Sequence, residues 1–229
     1  LDFDLPISLL RFDDYPSSYQ SRNIGAKFVQ SDCELLCFLD SDVFVSERFL
    51  HNILVHYSSL PHHLFQKTIL TGPIIFYHSS SFPNFFEHID SHLYLNQSTY
   101  STNGYAATAN MILPVSLFSL SGGFDRTLTS SGDKEFGLRV TSELGAHIDF
   151  NQVVCVYHPS RANLKSHYLK IKRLAIGKAV LNRISKNPTL NDLRTLLSPS
   201  FSLLLILRDF IFQSKDFSSA LVISSFYYL

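Results

Sequence analysis

The chain has 229 residues, of which 45% are hydrophobic and 17% charged. That is enough for one sizeable α/β domain with a filled interior, and it excludes wholesale disorder. Lys plus Arg (19) balance Asp plus Glu (19), so no net field draws in nucleic acid, and an anionic ligand must be held by local chemistry.

In chain order, residues 5–10 read as a short apolar strand and 13–18 as turn chemistry. A helix is predicted from Tyr19 to about Gln30, and 34–39 forms a continuous apolar run that reads as a strand buried on both faces. The carboxylates Asp40 and Asp42 follow at its end. Ser46 reads as the N-cap of a helix with Phe49, Ile53 and Leu54 on its inner face, and 68–77 reads as one strand despite Gly72-Pro73. Residues 78–104 form a long, partly helical excursion, and 106–113 return to strand character. Residues 133–144 read as a helix stopped by Gly145, and 148–157 as a final strand.

From 164 to 184 basic and apolar residues alternate as in an amphipathic helix with a cationic side, suited to anionic lipid. The apolar stretches 201–212 and 217–229 fall short of the roughly 18–20 residues of a membrane span. The expected layout is a core over 1–163 and a helical, membrane-proximal extension over 164–229. The three cysteines, Cys33, Cys37 and Cys155, follow no metal-knuckle spacing and read as reduced, partly buried thiols, which favours a cytosolic setting. The chain opens on Leu1 rather than a methionine and reads as a fragment.

Four short elements carry chemistry. Asp40-Ser41-Asp42 sets two carboxylates at the C-terminal end of a buried strand, where open α/β sheets bind ligands; hard oxygens there suit a divalent cation, which a departing diphosphate needs. No glycine follows where a calcium loop would turn. Asp133 and Glu135 lie where a loop enters a helix: either they cap it and pair with Arg139, or Asp133 is a general base. His158 directly follows a strand, and with two aspartates an imidazole favours manganese over magnesium. Arg22, on the helix before the acidic strand, is either an exposed helix residue or a planar, always charged guanidinium for a nucleotide base edge or phosphate.

Taken in order, Arg22-Asn23-Ile24-Gly25, Phe38-Leu39-Asp40-Ser41-Asp42, Ala109-Asn110-Met111, Gly122-Gly123-Phe124-Asp125, Gly132-Asp133-Lys134-Glu135-Phe136-Gly137-Leu138-Arg139 and Val156-Tyr157-His158-Pro159-Ser160-Arg161 resemble the family 2 glycosyltransferases, over roughly residues 5–173. The resemblance implies a single GT-A-like α/β domain with a mixed, mostly parallel sheet flanked by helices. It also implies inverting, metal-dependent transfer of a sugar from a nucleotide diphosphate to a glycan or lipid-linked hydroxyl, in surface polysaccharide synthesis on the inner face of the plasma membrane. Asp42, Asp40 and His158 would serve the metal, with Mn²⁺ favoured over Mg²⁺. Arg22, Asn23, Asp40 and Asn110 would serve the nucleotide sugar, and the Gly122 to Asp125 turn would help shape the donor and acceptor side. Asp133 would be the base, with Glu135 in reserve.

Two features depart from the family. Only about eight residues separate Asp14 from Arg22, too few for the usual base-reading unit, and Gly132 stands where an acidic residue commonly precedes the base. The first departure and the apolar tail leave open a non-catalytic subunit of a membrane-associated assembly. A glycoside hydrolase would leave Asp40-Ser41-Asp42 and His158 without a purpose, and a zinc protease centred on His88 and His92 lacks its glutamate at Ile89.

Overall fold

The structure, a computed structural model, describes residues 8–11, 17–29, 31, 33–78 and 82–184. The predicted strand over 5–10 lies partly outside these residues, and 8–11 have no regular structure. Most of the predicted turn over 13–18 and both apolar stretches beyond 200 lie outside as well.

The elements are α1 (Ser18–Val29), β1 (Leu35–Leu39), β2 (Phe44–Val45), α2 (Phe49–Ser59), α3 (His62–Phe65), β3 (Thr68–Thr71), β4 (Ile74–Tyr77), α4 (Phe85–Leu93), α5 (Gln97–Thr102), β5 (Asn110–Pro114), α6 (Val115–Leu120), α7 (Gly132–Leu144), β6 (His147–Phe150), β7 (Val156–Pro159) and α8 (Leu164–Ile184). The strands form two sheets, ordered β1-β5-β3-β6 and β2-β7-β4. Pairs β3–β6 and β4–β7 are parallel, while β1–β5, β3–β5 and β2–β7 are antiparallel. The α/β class holds, but the sheets are mixed rather than mostly parallel. In the larger sheet the cause is β5, which returns from the long excursion and runs against both of its neighbours; in the smaller sheet it is β2, which runs against β7.

Two segments that read as single strands each split and change sheet. The run 68–77 breaks at Gly72-Pro73, so β3 stays in the larger sheet and β4 joins the smaller one; 148–157 divides into β6 and β7 in the same way. At Gly72 a Cβ would overlap the Val154 carbonyl, and Pro73 has no N–H to continue a ladder. Asn110, fully buried, ties the two breaks together: its Nδ2 donates to Gly72 O (3.1 Å) and Val154 O (2.8 Å). Asn110→Ala removes both donors from buried carbonyls. We expect a loss of roughly 1–3 kcal/mol for each carbonyl left unpaired, read as a lower urea midpoint.

Period-two alternation divides the interior of the larger sheet. Ile69, Met111 and Leu113 face a cluster with Leu36, Phe38, Phe118, Phe124, Phe136 and Val140, beneath α1, α6 and α7. Leu70 and Ile112 face the opposite cluster with Phe49, Ile53 and Tyr57 of α2. In α2 the buried residues are spaced four apart, and Leu54, predicted to face inward, is exposed. The helix is not capped by the Ser46 hydroxyl; the Ser46 carbonyl accepts from Phe49 N (2.9 Å). Strand β1 is buried on one face only. It lies at the edge of the sheet, and the α2 cluster reaches Leu35 but leaves Cys37 and Leu39 exposed. Among the described residues none of the three cysteines is in a disulfide; Cys33 and Cys155 are half-buried and Cys37 is exposed.

Helix α8 forms where predicted, but its basic residues do not all face outward. Lys170 is buried and its Nζ donates to Asp90 of α4 (2.7 Å), while Val180 and Leu181 pack against the larger core cluster. Among the described residues no helix is long and apolar enough to cross a membrane.

Candidate functional site

The site begins where β1 ends. Asp40 to Val43 form a turn closed by Val43 N donating to Asp40 O (3.4 Å). The next strand, β2, pairs antiparallel with β7, setting Phe44 opposite Tyr157. One step along β7, His158 therefore falls opposite Val43 and beside Asp42, and alternation turns Tyr157 outward and His158 inward. Chain positions more than 100 residues apart meet through this two-residue strand.

His158 Nε2 lies 3.9 Å from Asp40 Oδ2 and 3.8 Å from Asp42 Oδ1. All three potential ligand atoms lie within 4.8 Å of one another. These separations exceed a hydrogen bond and match donors that share a cation roughly 2.1 Å from each. The Nδ1 of His158 sits 2.7 Å from the Pro159 carbonyl. With the Nδ1 proton donated there, the Nε2 lone pair faces the two carboxylates, as a metal-binding histidine requires. Asp40 divides its oxygens, since Oδ1 accepts from Arg22 Nη2 of α1 (2.9 Å). The residues fit a divalent cation.

Asp133 is the second residue of α7. It follows Ser131, a non-glycine residue in the left-handed region (φ 62°) that enters the helix without a side-chain cap. Asp133 Oδ1 accepts from Lys134 N (3.0 Å) and, at 3.5 Å, from the Tyr19 hydroxyl. Burial raises the Asp133 carboxyl above its ordinary pKa; the Lys134 N–H and Arg22 oppose the shift, and Asp40 adds to it. Such a carboxylate is a stronger proton acceptor than one in water. Burial, with the charge of Asp133, pushes the Tyr19 phenol up to about 12, which keeps it a hydrogen-bond donor.

At Gly132, where the resemblance leads to the expectation of an acidic residue, the structure leaves no room for a side chain. A Cβ there would stand 2.7–2.8 Å from the Tyr19 ring. Tyr19 thus occupies the space that a side chain at this position would need. Gly132→Ala should displace the ring from Asp133 and cost roughly 1–3 kcal/mol, seen as a lower melting temperature and a perturbed Tyr19 signal.

The structure brings Arg22, Asp40, Asp42, Asp133 and His158 to the wall of one cavity of about 690 Å³. Asn23, Asn110 and Glu135 do not line it. Asn23 exchanges hydrogen bonds with the Phe124 backbone (2.8 and 2.9 Å). Asn110 closes the strand breaks described above. Glu135 pairs with Arg139 through two contacts (2.6 and 3.2 Å), and Arg139 also donates to the Ser121 and Gly123 carbonyls. These groups stiffen the turn behind the cavity. The wall also includes Tyr94, Tyr100, Tyr105, Lys134, Lys170 and Arg173. With no tryptophan in the chain, Phe or Tyr residues of the 78–104 excursion are the expected stacking partners for an acceptor, and Lys170 and Arg173 read as a lipid-facing charge, but the sequence reading assigns none of the six to the site. A signal existed for part of this set: Lys170, Arg173 and Leu174 recur at helical spacing, and so share one face of α8.

No known family model matches the chain. No curated protein matches it either. Solved structures that it resembles include GalNAc-T7 with UDP, GalNAc and Mn²⁺, at a TM-score of 0.48 and 13% identity, covering 67% of this chain and 32% of that one. Staphylococcus aureus TarS residues 1–349 with UDP-GlcNAc gives a TM-score of 0.45 at 18% identity, covering 66% and 42%. Another structure of S. aureus TarS gives 0.42 at 17%, covering 63% and 24%. The chain therefore spans less than half the length of each.

Proposed function

We propose that this chain is the catalytic part of an inverting, metal-dependent glycosyltransferase of the family 2 type, moving a sugar from a nucleotide diphosphate to a hydroxyl of a glycan or lipid-linked acceptor. The observation that carries the reading is the convergence of Asp40 and Asp42, Asp133 and His158, from three separate stretches of the sequence, around one cavity. Asp40, Asp42 and His158 would hold the cation, manganese in preference to magnesium because one donor is an imidazole. When bound, it neutralises the charge that builds on the departing diphosphate.

The remaining steps belong to the protein. Asp133 accepts the proton of the acceptor hydroxyl as that oxygen bonds to the anomeric carbon, and the bond from that carbon to the diphosphate oxygen breaks on the opposite face, inverting the centre. Arg22, held by Asp40, offers its guanidinium edge to the nucleotide. Tyr19 donates to Asp133 and fixes its orientation. The setting that fits this chemistry is surface polysaccharide synthesis at the cytoplasmic side of a membrane, with the exposed basic and apolar residues of α8, such as Lys172 and Ile171, touching its surface.

The test is a panel of nucleotide sugars presented to the full chain with and without Mn²⁺, read by thermal shift and by slow donor hydrolysis. One donor should stabilise the protein and be hydrolysed only with the metal. Absence of metal-dependent binding across uridine, guanosine, cytidine and thymidine donors would defeat the reading.

A further inference from the structure

The cavity has a second wall that the chemistry above does not use. Tyr94 and Leu95, just past α4, join Tyr100 of α5, Tyr105, and the cations Arg161, Lys170 and Arg173. Their ion pairing is lopsided. The fully buried carboxylate of Asp90 accepts from Lys170 Nζ (2.7 Å), Arg161 N (3.0 Å) and Arg161 Nη1 (3.4 Å). One carboxylate thus serves two cations. Arg173 stands near enough to help lower the Lys170 pKa, which burial pulls down to about 8 against the hold of Asp90. Among the described residues neither Arg173 nor Lys134 has a carboxylate within ion-pair distance. The whole chain is electrically balanced, so this wall is a local cationic excess facing an open cavity. Lys170 is buried and Arg161 and Lys134 are half-buried, so an anion entering the cavity compensates charges partly removed from water, and the exposed Arg173 adds to the field that draws it in.

The order of groups along the cavity says which ligand the wall meets. On one side Asp133 Oδ1 meets the Tyr19 hydroxyl (3.5 Å), and Arg22, which pairs with Asp40 (2.9 Å), lies over the Tyr19 ring (5.7 Å). On the other its chain neighbour Lys134 lies over Tyr105 (5.7 Å), which stacks on Tyr100, whose hydroxyl accepts from Leu95 N (3.1 Å) beside Tyr94. The base therefore stands between the carboxylate turn and the tyrosine wall. A hydroxyl delivered to Asp133 opposite the departing diphosphate comes from the tyrosine side. Those rings suit a sugar: Tyr100 and Tyr105 stack at 4.8 Å, and Lys170 Nζ sits 3.6 Å above the Tyr94 ring.

Building on the transferase reading, we propose that the acceptor is anionic, a sugar carrying a carboxylate or phosphate whose negative group docks at Lys170, Arg161 and Arg173 while its ring lies along Tyr94, Tyr100 and Tyr105. The charge can reside on the glycan itself or on the diphosphate that links a sugar to a lipid. The two sources present the same chemistry to the wall.

Calorimetry on the full chain, in Mn²⁺ and UDP, separates them. The probes are tetragalacturonate, a phosphodiester-linked polyol oligomer, a sugar diphosphate of a polyprenol in detergent micelles, and neutral maltotetraose. At least one anionic probe should bind tenfold or more tightly than the neutral one, and whichever binds names the source. Arg173 is exposed, so Arg173→Gln should fold; it should weaken that probe at least fivefold, with Lys134→Gln as a second variant on the same wall. Equal binding of neutral and anionic probes, no binding of any anionic probe, or unchanged affinity in both variants would overturn the proposal. A loss of UDP affinity in Arg173→Gln as large as the loss for the probe would assign the wall to the donor instead, and also overturn it. Should UDP not bind, the same titrations are run in whichever of GDP, CDP or dTDP does; failure of all four to bind with Mn²⁺ is a separate outcome that strikes the transferase reading.

Discussion

Asp133→Asn should lower sugar transfer by about 100- to 10,000-fold while leaving Mn²⁺-dependent nucleotide binding within a few-fold of the parent. That span is what a positioned general base contributes. The carboxamide keeps the shape of the group, so Lys134 N and the Tyr19 hydroxyl still find an acceptor, but it cannot take a proton at neutral pH. Burial raises the carboxyl and so strengthens it as a base; the same burial makes the site intolerant of lost polarity, which is why asparagine is the informative change and alanine is not. Glu135 supplies the control. It is held by Arg139 on the far side of the turn, so Glu135→Gln should lower thermal stability more than it lowers the rate constant. A rate loss in Glu135→Gln equal to that of Asp133→Asn would move the base to Glu135. Full transfer activity in Asp133→Asn would leave the site without a base among the groups around Asp40.

The second large effect is expected from the metal ligands. Asp42→Ala and His158→Ala should each reduce Mn²⁺-dependent nucleotide affinity by more than about 100-fold, because the loss of mere outer-shell partners already costs roughly 10- to 100-fold. The two should not be additive, since each alone leaves an incomplete set. Asp40→Ala should behave differently. It removes a ligand candidate and also releases Arg22, whose guanidinium it holds at 2.9 Å; the freed cation can meet the nucleotide phosphate directly and recover part of the affinity at low salt. Titration calorimetry at two salt concentrations checks this. Unchanged affinity in Asp42→Ala would remove the metal from the account.

Much of the site could be read in the sequence, and the reason is local. An apolar run followed by Asp40-Ser41-Asp42 is a strand delivering carboxylates to its own end; His158, read as following a strand, lies within β7, and the pairing of β7 with β2 sets it beside Asp42. The helix of Asp133 was marked by Phe136 and Val140 and by Gly145, which ends it in the left-handed region (φ 64°). What could not be read is non-local. Gly72-Pro73 marks a break in the run 68–77, but both halves are apolar and nothing local says that β3 and β4 belong to different sheets; the Val154 carbonyl, whose close approach leaves no room for a Cβ at Gly72, lies some 80 residues away. Lys170 reads as a solvated charge on an amphipathic helix, and only the fold sets it against Asp90. Asn23 and Asn110 show the converse. A polar side chain tied to buried backbone and one aimed at a ligand look alike in sequence, and only their hydrogen bonds tell them apart.

Bound Mn²⁺ reports its own neighbours, so the most direct measurement is the electron spin-echo spectrum of Mn²⁺ added to the full chain with a nucleoside diphosphate. The account predicts nitrogen coupling from one histidine, absent in His158→Ala, together with phosphorus coupling from the diphosphate in the same spectrum. A bound ion with oxygen neighbours alone, or with nitrogen coupling that survives His158→Ala, would contradict it.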